Sequence, residues 1–283
     1  MINKNKSKNK ICVVVGGTRG IGLEVAKGLA EEGLTLIITG RTSVTAKKAM
    51  AHFNKSGRVS SLTLDVTSDN STKNAVSRII KKFGRIDVLV ISAGIFKPFG
   101  TFDSVPLEDN LRNIHVNLIG TIRCVYYVVK HMKKQDFGRI ILFSGGGIGG
   151  DIPLTNAASY FTSKGAITVF TEVLASELVQ FNITINAVLP GQILTDLTRE
   201  LFNISDKQLG PVLTKAKESL IKTGGTPIEL TLELTKFLIS NRADNVTGRL
   251  LSARWDSLKD LYKKLPEDKY KLRRIEGKVY KKA

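Results

Sequence analysis

The sequence predicts an α/β fold, a doubly wound parallel sheet with helices on both faces. Three observations lead there. Short apolar runs such as Ile11-Cys12-Val13-Val14-Val15 recur and stop at glycine or polar residues, as strands buried on both faces do. Helix-length segments alternate with these runs along the whole chain, which requires parallel strands joined by crossovers. A glycine cluster, Gly16-Gly17-Thr18-Arg19-Gly20-Ile21-Gly22, occupies the first strand-to-helix turn. Glycines there let the backbone approach a pyrophosphate, and a helix N-terminus attracts its charge.

The elements follow in order. After the first strand, Gly20 to Glu32 reads as a helix stopped by Gly33. Leu34 to Thr39 is a second strand, Val44 to Asn54 a helix and Arg58 to Leu64 a third strand. Ser68 or Asp69 can cap a helix that Gly84 ends after Phe83. Ile86 to Ile91 is a fourth strand. A loop rich in Gly, Pro and Phe then leads to a long helical stretch from Pro106 to about Lys134. Arg139 to Phe143 is a fifth strand, Ala157 to Gln180 a helix and Ile183 to Val188 a sixth strand. Leu197 to Lys222 reads as a mobile, partly helical insertion. A helix from Pro227 to Ser240 and a short strand from Arg249 to Ser252 close the pattern at about seven strands.

A chain of 283 residues with 42% hydrophobic content suits one large domain, here 11–253, between basic extensions 1–10 and 254–283. No apolar run reaches the roughly 18 residues of a spanning helix. The first residues lack the apolar core of a secretory signal. Cys12 and Cys124 fall in a strand and a helix, as small core residues rather than a disulfide or metal pair. A cytoplasmic, reduced setting is therefore expected, with no metal site. The net charge of +18 is concentrated at the ends. Lys4, Lys6, Lys8 and Lys10 precede the first strand, and 254–283 carries eleven basic against five acidic residues. Such ends can bind nucleic acid or simply solubilise the chain. No recognised nucleic-acid module accompanies them, so nucleic acid is not an expected partner.

Tyr160-Phe161-Thr162-Ser163-Lys164 places a tyrosine and a lysine on one helix face. By itself the spacing is common, and it fits an interfacial Tyr beside a surface Lys. A nearby ammonium nevertheless favours the phenolate and would lower the tyrosine pKa from its usual value near 10. A tyrosine so tuned can exchange a proton with a carbonyl or alcohol oxygen.

Taken together, ordered matches give this chain its resemblance to the single-domain short-chain dehydrogenases/reductases, over roughly residues 10 to 253. The matches are Gly16, Gly20 and Gly22, then Asp65 in Leu64-Asp65-Val66, then Ser92-Ala93-Gly94 and Asn117. Ser144, Tyr160 with Lys164, and Pro190-Gly191 with Thr195 complete them. The resemblance implies a Rossmann-type fold, a nicotinamide dinucleotide cofactor and Tyr160 as the proton-exchanging group. It further implies that Asp65 and Val66 hold adenine, that Ala93 and Gly94 line the cleft, and that Ile193 and Thr195 meet the carboxamide. Lys164 would bind the ribose hydroxyls, and Asn117 would keep a water that links Lys164 to solvent. On residue type alone, Asp65 could also be a helix cap and Asn117 a polar group satisfied by a kinked helix.

Several positions depart from the family pattern. Val15 stands where Thr is usual and Ser92 where Asn is usual, which weakens a polar tie between two loops. Ser144-Gly145 replaces the usual Ser-Ser, leaving Ser144 as the candidate to orient a substrate carbonyl. The second strand ends Thr39-Gly40-Arg41 with no carboxylate, and Arg41 with Arg19 can grip a 2′-phosphate, so NADP(H) is the expected cofactor. The expected activity is hydride transfer between that cofactor and a ketone or secondary alcohol. Phe96, Phe99, Phe102, Leu197, Leu201 and Phe202 would shape a partly apolar substrate pocket and lid. A sensor or scaffold of the same fold with weak turnover is the alternative. Assembly into at least a homodimer, or a homotetramer, is expected through the helices carrying Val125, Tyr126, Val128, Val129, Ile167, Phe170 and Leu174.

Overall fold

A computed structural model describes residues 10–53, 58–145, 148 and 154–261. The N-terminal extension through residue 9, the C-terminal extension from residue 262 and most of the glycine loop after the fifth strand lie outside the described residues. Seven parallel strands form one sheet in the order β3-β2-β1-β4-β5-β6-β7. They are β1 Ile11–Val15, β2 Thr35–Gly40, β3 Val59–Thr63, β4 Val88–Ile91, β5 Gly138–Phe143, β6 Ile183–Leu189 and β7 Leu250–Ser252.

Alternation along each strand builds a core on each face. Val13, Val15, Leu89, Ile91, Ile140 and Leu142 face α3 (Asp69–Phe83), α5 (Gly120–Gln135) and α6 (Ala158–Glu177). Cys12, Val14, Val88, Val90 and Ile141 face α1 (Gly20–Glu31) and α9 (Ile228–Leu238). Both cysteines are free and buried, and burial pushes their thiols up, Cys124 to about 12.

Local signals explain the helix ends. Ser68 caps α3 by accepting from Ser71 N, and Gly84 ends it at φ 75°. Thr42 and Thr45 form a capping box on α2 (Ser43–Ala49), which is shorter than expected because a 3-10 turn, Met50–His52, takes over. The long helical stretch is two helices, α4 (Leu107–Ile114) and α5, joined by a π turn at His115–Ile119. The expected insertion at 197–222 is largely helical. It comprises α7 (Asp196–Arg199), a 3-10 turn at Glu200–Asn203, and α8 (Asp206–Thr223), which breaks at Gly210-Pro211. A short α10 (Leu258–Leu261) follows β7.

The chain leaves β1 toward β2 and returns on its other side at β4, so a crevice opens beyond the C-terminal ends of these two strands. The glycine turn and Ser92-Ala93-Gly94 meet there.

Candidate active site

Gly16 has φ 77°, and a Cβ on it would lie 2.6 Å from Ala93 N. Only glycine allows the turn after β1 to rest on the loop after β4. Ser92 N donates to Val15 O at 2.9 Å, so backbone contact ties the two loops despite the missing Thr and Asn. Gly22 packs against Gly16 O, where any side chain would collide. Helix α1 opens from Gly20 with no side-chain cap and no acidic residue in its first turn. Its first N–H groups therefore face the crevice without a protein anion, which suits a phosphate.

The crevice widens into a cleft of about 1200 Å³. Gly16, Thr18, Arg19, Gly20 and Ile21 line one end with Arg41; Asp65 and Val66 line a side, and Ser92, Ala93 and Gly94 line the floor. Ser144, Tyr160, Lys164, Pro190 and Thr195 line the other end. Gly22, Asn117, Gly191 and Ile193 lie behind this surface. Gly191 turns at φ 84° against Thr226, and Ile193 bridges Gly225. Thr39 Oγ1 is buried without a hydrogen-bond partner and lines the cleft. Bare helix N–H groups at one end of this cleft fit a polar dinucleotide.

Asp65 is not a helix cap, since Ser68 fills that role. Its Oδ1 accepts from Thr67 N and Thr67 Oγ1, closing a tight turn that presents Val66 to the cleft. Arg19 and Arg41 are exposed, and neither makes an ion pair among the described residues.

Tyr160 and Lys164 sit one turn apart on α6, but their electrostatics differ from the sequence expectation. Lys164 is buried and donates from Nζ to Phe143 O at 2.9 Å. Burial lowers its pKa to about 8 and raises that of Tyr160 to about 12. The expected depression of the tyrosine is absent because desolvation of the phenolate outweighs any ammonium pull.

Ser144 also departs from expectation. Its Oγ donates to Lys164 O at 2.9 Å and shares a 3.1 Å bond with Thr168 Oγ1. A carbonyl oxygen needs a donor, and the serine proton already lies on the helix backbone. Ser144 thus ties β5 to α6, and a substrate carbonyl would compete with Lys164 O for its proton. The neighbouring Gly145 has no room for a side chain, since a Cβ there would lie 2.9 Å from Lys164 Cγ.

Asn117 is fully buried in the π turn. It accepts from Ile95 N and donates to Ile95 O, each at 2.8 Å, so it fixes the loop after β4. Three positioning side chains have no motif in the sequence. Asn113 Nδ2 donates to Lys97 O at 2.6 Å, Arg123 donates to Val66 O, and Asn156 Nδ2 donates to Gln208 O at 3.1 Å. The one legible signal was Asn113 and Asn117 four apart on an otherwise buried helix face.

With this geometry, the family model described as short chain dehydrogenase matches residues 10–205. The chain belongs to the short-chain dehydrogenase/reductase family. It is 37% identical over 245 residues to the short-chain reductase protein NovJ of Streptomyces niveus, covering 86% of this chain and 91% of that one. It is 34% identical over 250 residues to the 3-oxoacyl-[acyl-carrier-protein] reductase FabG of Aquifex aeolicus, covering 87% and 96%. Among solved structures, NAD+-bound xylitol dehydrogenase superposes with a TM-score of 0.78 at 28% identity, covering 87% and 98%. A variant of actinorhodin polyketide ketoreductase with NADPH gives 0.76 at 27%, covering 89% and 97%. The chain is thus an oxidoreductase of this family, acting on CH-OH or carbonyl groups with a nicotinamide dinucleotide. No helix among the described residues is long and apolar enough to cross a membrane.

Proposed function

We propose that this short-chain reductase uses NADP(H) to interconvert a ketone and a secondary alcohol. The observation that carries the reading is the pair Arg19 and Arg41, which line the cleft and form no ion pair among the described residues, with Arg41 at the end of β2 where NAD-preferring proteins of this fold hold an acidic residue. Their guanidinium groups suit a 2′-phosphate. Val66 and Asp65 flank adenine, the α1 N-terminus faces the pyrophosphate, and Thr195 with Ile193 serves the carboxamide end. Bound there, the nicotinamide supplies or accepts the hydride. Tyr160 holds the proton exchanged at the substrate oxygen. Its raised pKa keeps that proton in place at neutral pH, the form from which a carbonyl oxygen would be protonated. Lys164 holds the ribose hydroxyls, and Asn117 maintains the loop beside the pair. The substrate is a partly apolar ketone, facing Leu197 and Phe96. Cytoplasmic residence and a homodimer or homotetramer complete the reading.

A panel of ketones with NADPH, followed by NADPH absorbance, tests it. Tyr160→Phe should lower turnover at least about a hundredfold while NADPH still binds. Near-wild-type turnover in the variant would refute the role of Tyr160. The second reading is a dinucleotide-binding sensor or scaffold with weak turnover. The lack of a free hydroxyl donor at Ser144-Gly145 favours it. Intact NADPH binding with no oxidation across the panel would select it.

A further inference from the structure

Two amide side chains tie together the three segments around the substrate side of Tyr160. Asn156, four residues before Tyr160, holds a left-handed backbone with φ 60°. Its carbonyl accepts from Gly100 N at 2.9 Å, and its Nδ2 donates to Gln208 O at 3.1 Å. Gln208 in turn donates from Nε2 to Phe99 O at 2.9 Å. Phe99 and Gly100 belong to the loop after β4, Gln208 to the first turn of α8, and Asn156 to the lead-in of α6. Each segment therefore bonds to the other two.

The break in α8 is fitted to the same residue. Gly210 has φ 69° and ψ 174°, Pro211 follows it, and a methyl at Gly210 would collide with Asn156 Oδ1. Beneath this ring, Phe96, Phe99, Leu201, Leu209 and Leu213 form an apolar cluster. Phe96 lies on Tyr160 with ring centroids 4.3 Å apart. None of the five lines the cleft, whereas Tyr160 lines it and is partly exposed, so the cluster packs against Tyr160 outside the cleft.

We infer that Asn156 and Gln208 are positioning residues that form a clasp, holding the first turn of α8 to the lead-in of α6 and to the loop after β4, and that the apolar cluster beside Tyr160 loosens when the clasp releases about the Gly210-Pro211 break. The Asn156–Gln208 bond is exposed, so water can replace it at small net cost, whereas the apolar cluster restores closure. The purpose of the clasp rests on the reductase reading; its existence does not.

Hydrogen exchange on the full-length, ligand-free protein tests it without any substrate. Asn156→Asp removes the donor and tolerates the left-handed backbone. Gln208→Ala removes the other bond. Amides of 206–223 and 96–100 should exchange about two- to tenfold faster in each variant, while β5 and β6 are unchanged. The double variant should add little to either single one, since the two bonds act as one unit. Unchanged exchange in α8 in both variants would overturn the clasp. An equal rise across β5 and β6 would also overturn it, in favour of a plain loss of fold stability. If no ketone is ever reduced, these exchange results stand unaltered and the reductase reading alone fails.

Discussion

Lys164 reaches past Tyr160 to a strand carbonyl. Its Nζ lies 2.9 Å from Phe143 O and 5.7 Å from the centre of the Tyr160 ring. The lysine is therefore a donor to the backbone, and in the free protein the tyrosine is governed by burial. Tyr160 should stay protonated through the neutral and mildly alkaline range, with a pKa of about 12. Ultraviolet titration of the phenolate band, wild type against Tyr160→Phe, checks this. A phenolate signal below about pH 9 that the variant lacks would contradict it.

The same burial has a sign for stability. Lys164 is lowered to about 8 from 10.5, so in that window the unfolded chain binds more protons than the folded one. Its charge therefore weakens the fold below about pH 8, and the loss is relieved as pH rises toward 10.5. Lys164→Met should remove this rise in unfolding midpoint relative to wild type. A wild-type rise that survives in the variant would assign it to another group.

The proposed preference for NADPH rests on Arg41. Installing a carboxylate at Gly40 is a poor test, because a Cβ there would lie 2.9 Å from both Thr18 Cγ2 and Thr45 Oγ1. Arg41→Ala is clean, since the side chain is exposed. NADPH affinity should fall at least about tenfold, roughly 1.4 kcal/mol, with NADH affinity nearly constant. Fluorescence titration of both cofactors decides it. Equal losses for the two would mean that Arg41 does not read the 2′-phosphate.

The succession of strands and helices, the glycine turn and the Tyr160–Lys164 pairing were legible in the sequence because each depends on local pattern. Side-chain partners across the fold were not. The spacing of Tyr160 and Lys164 fixes a shared helix face, but the acceptor that takes the ammonium, Phe143 O, comes from β5. Ser144 reads as a free hydroxyl until Lys164 O and Thr168 close on it. Asn156 carries no motif at all, and its role comes from Gly100 and Gln208, far away in the chain.

Assembly shows the same limit. Val125, Val128 and Ile167, expected at an interface, are buried in the core. Val129, Phe170 and Leu174 are partly buried and pack against it. Of the expected residues Tyr126 is exposed, and Ile119, Val169 and Val173 are further exposed apolar residues on these helices. A second copy covering them would bury this patch. Light scattering at micromolar protein should give at least a dimer, and Tyr126→Lys with Val169→Lys should shift it toward monomer. A monomeric wild type would refute the assembly.

Gly145 separates sequence logic from structural logic. The family pattern suggests that Gly145→Ser would restore an orienting hydroxyl and raise turnover. The structure predicts the opposite. A Cβ at this position would lie 2.9 Å from Lys164 Cγ, 3.1 Å from Lys164 Cβ and 3.3 Å from Tyr160 Cε1. The first two atoms belong to the stem of a buried lysine whose Nζ is fixed on Phe143 O, so Lys164 must move as a whole. Overpacking of this kind costs about 1–3 kcal/mol. For a chain of this size that lowers the melting temperature by roughly a few degrees. Gly145→Ser should therefore melt lower and bind NADPH more weakly, because Lys164 is displaced from the ribose end of the cleft. Melting curves and cofactor titration on wild type, Gly145→Ala and Gly145→Ser test this without a substrate. Gly145→Ala, which adds the Cβ and no hydroxyl, should show most of both losses. An alanine variant as stable as wild type, with unchanged NADPH affinity, would show that the space beside Lys164 is open and that the missing serine has another cause.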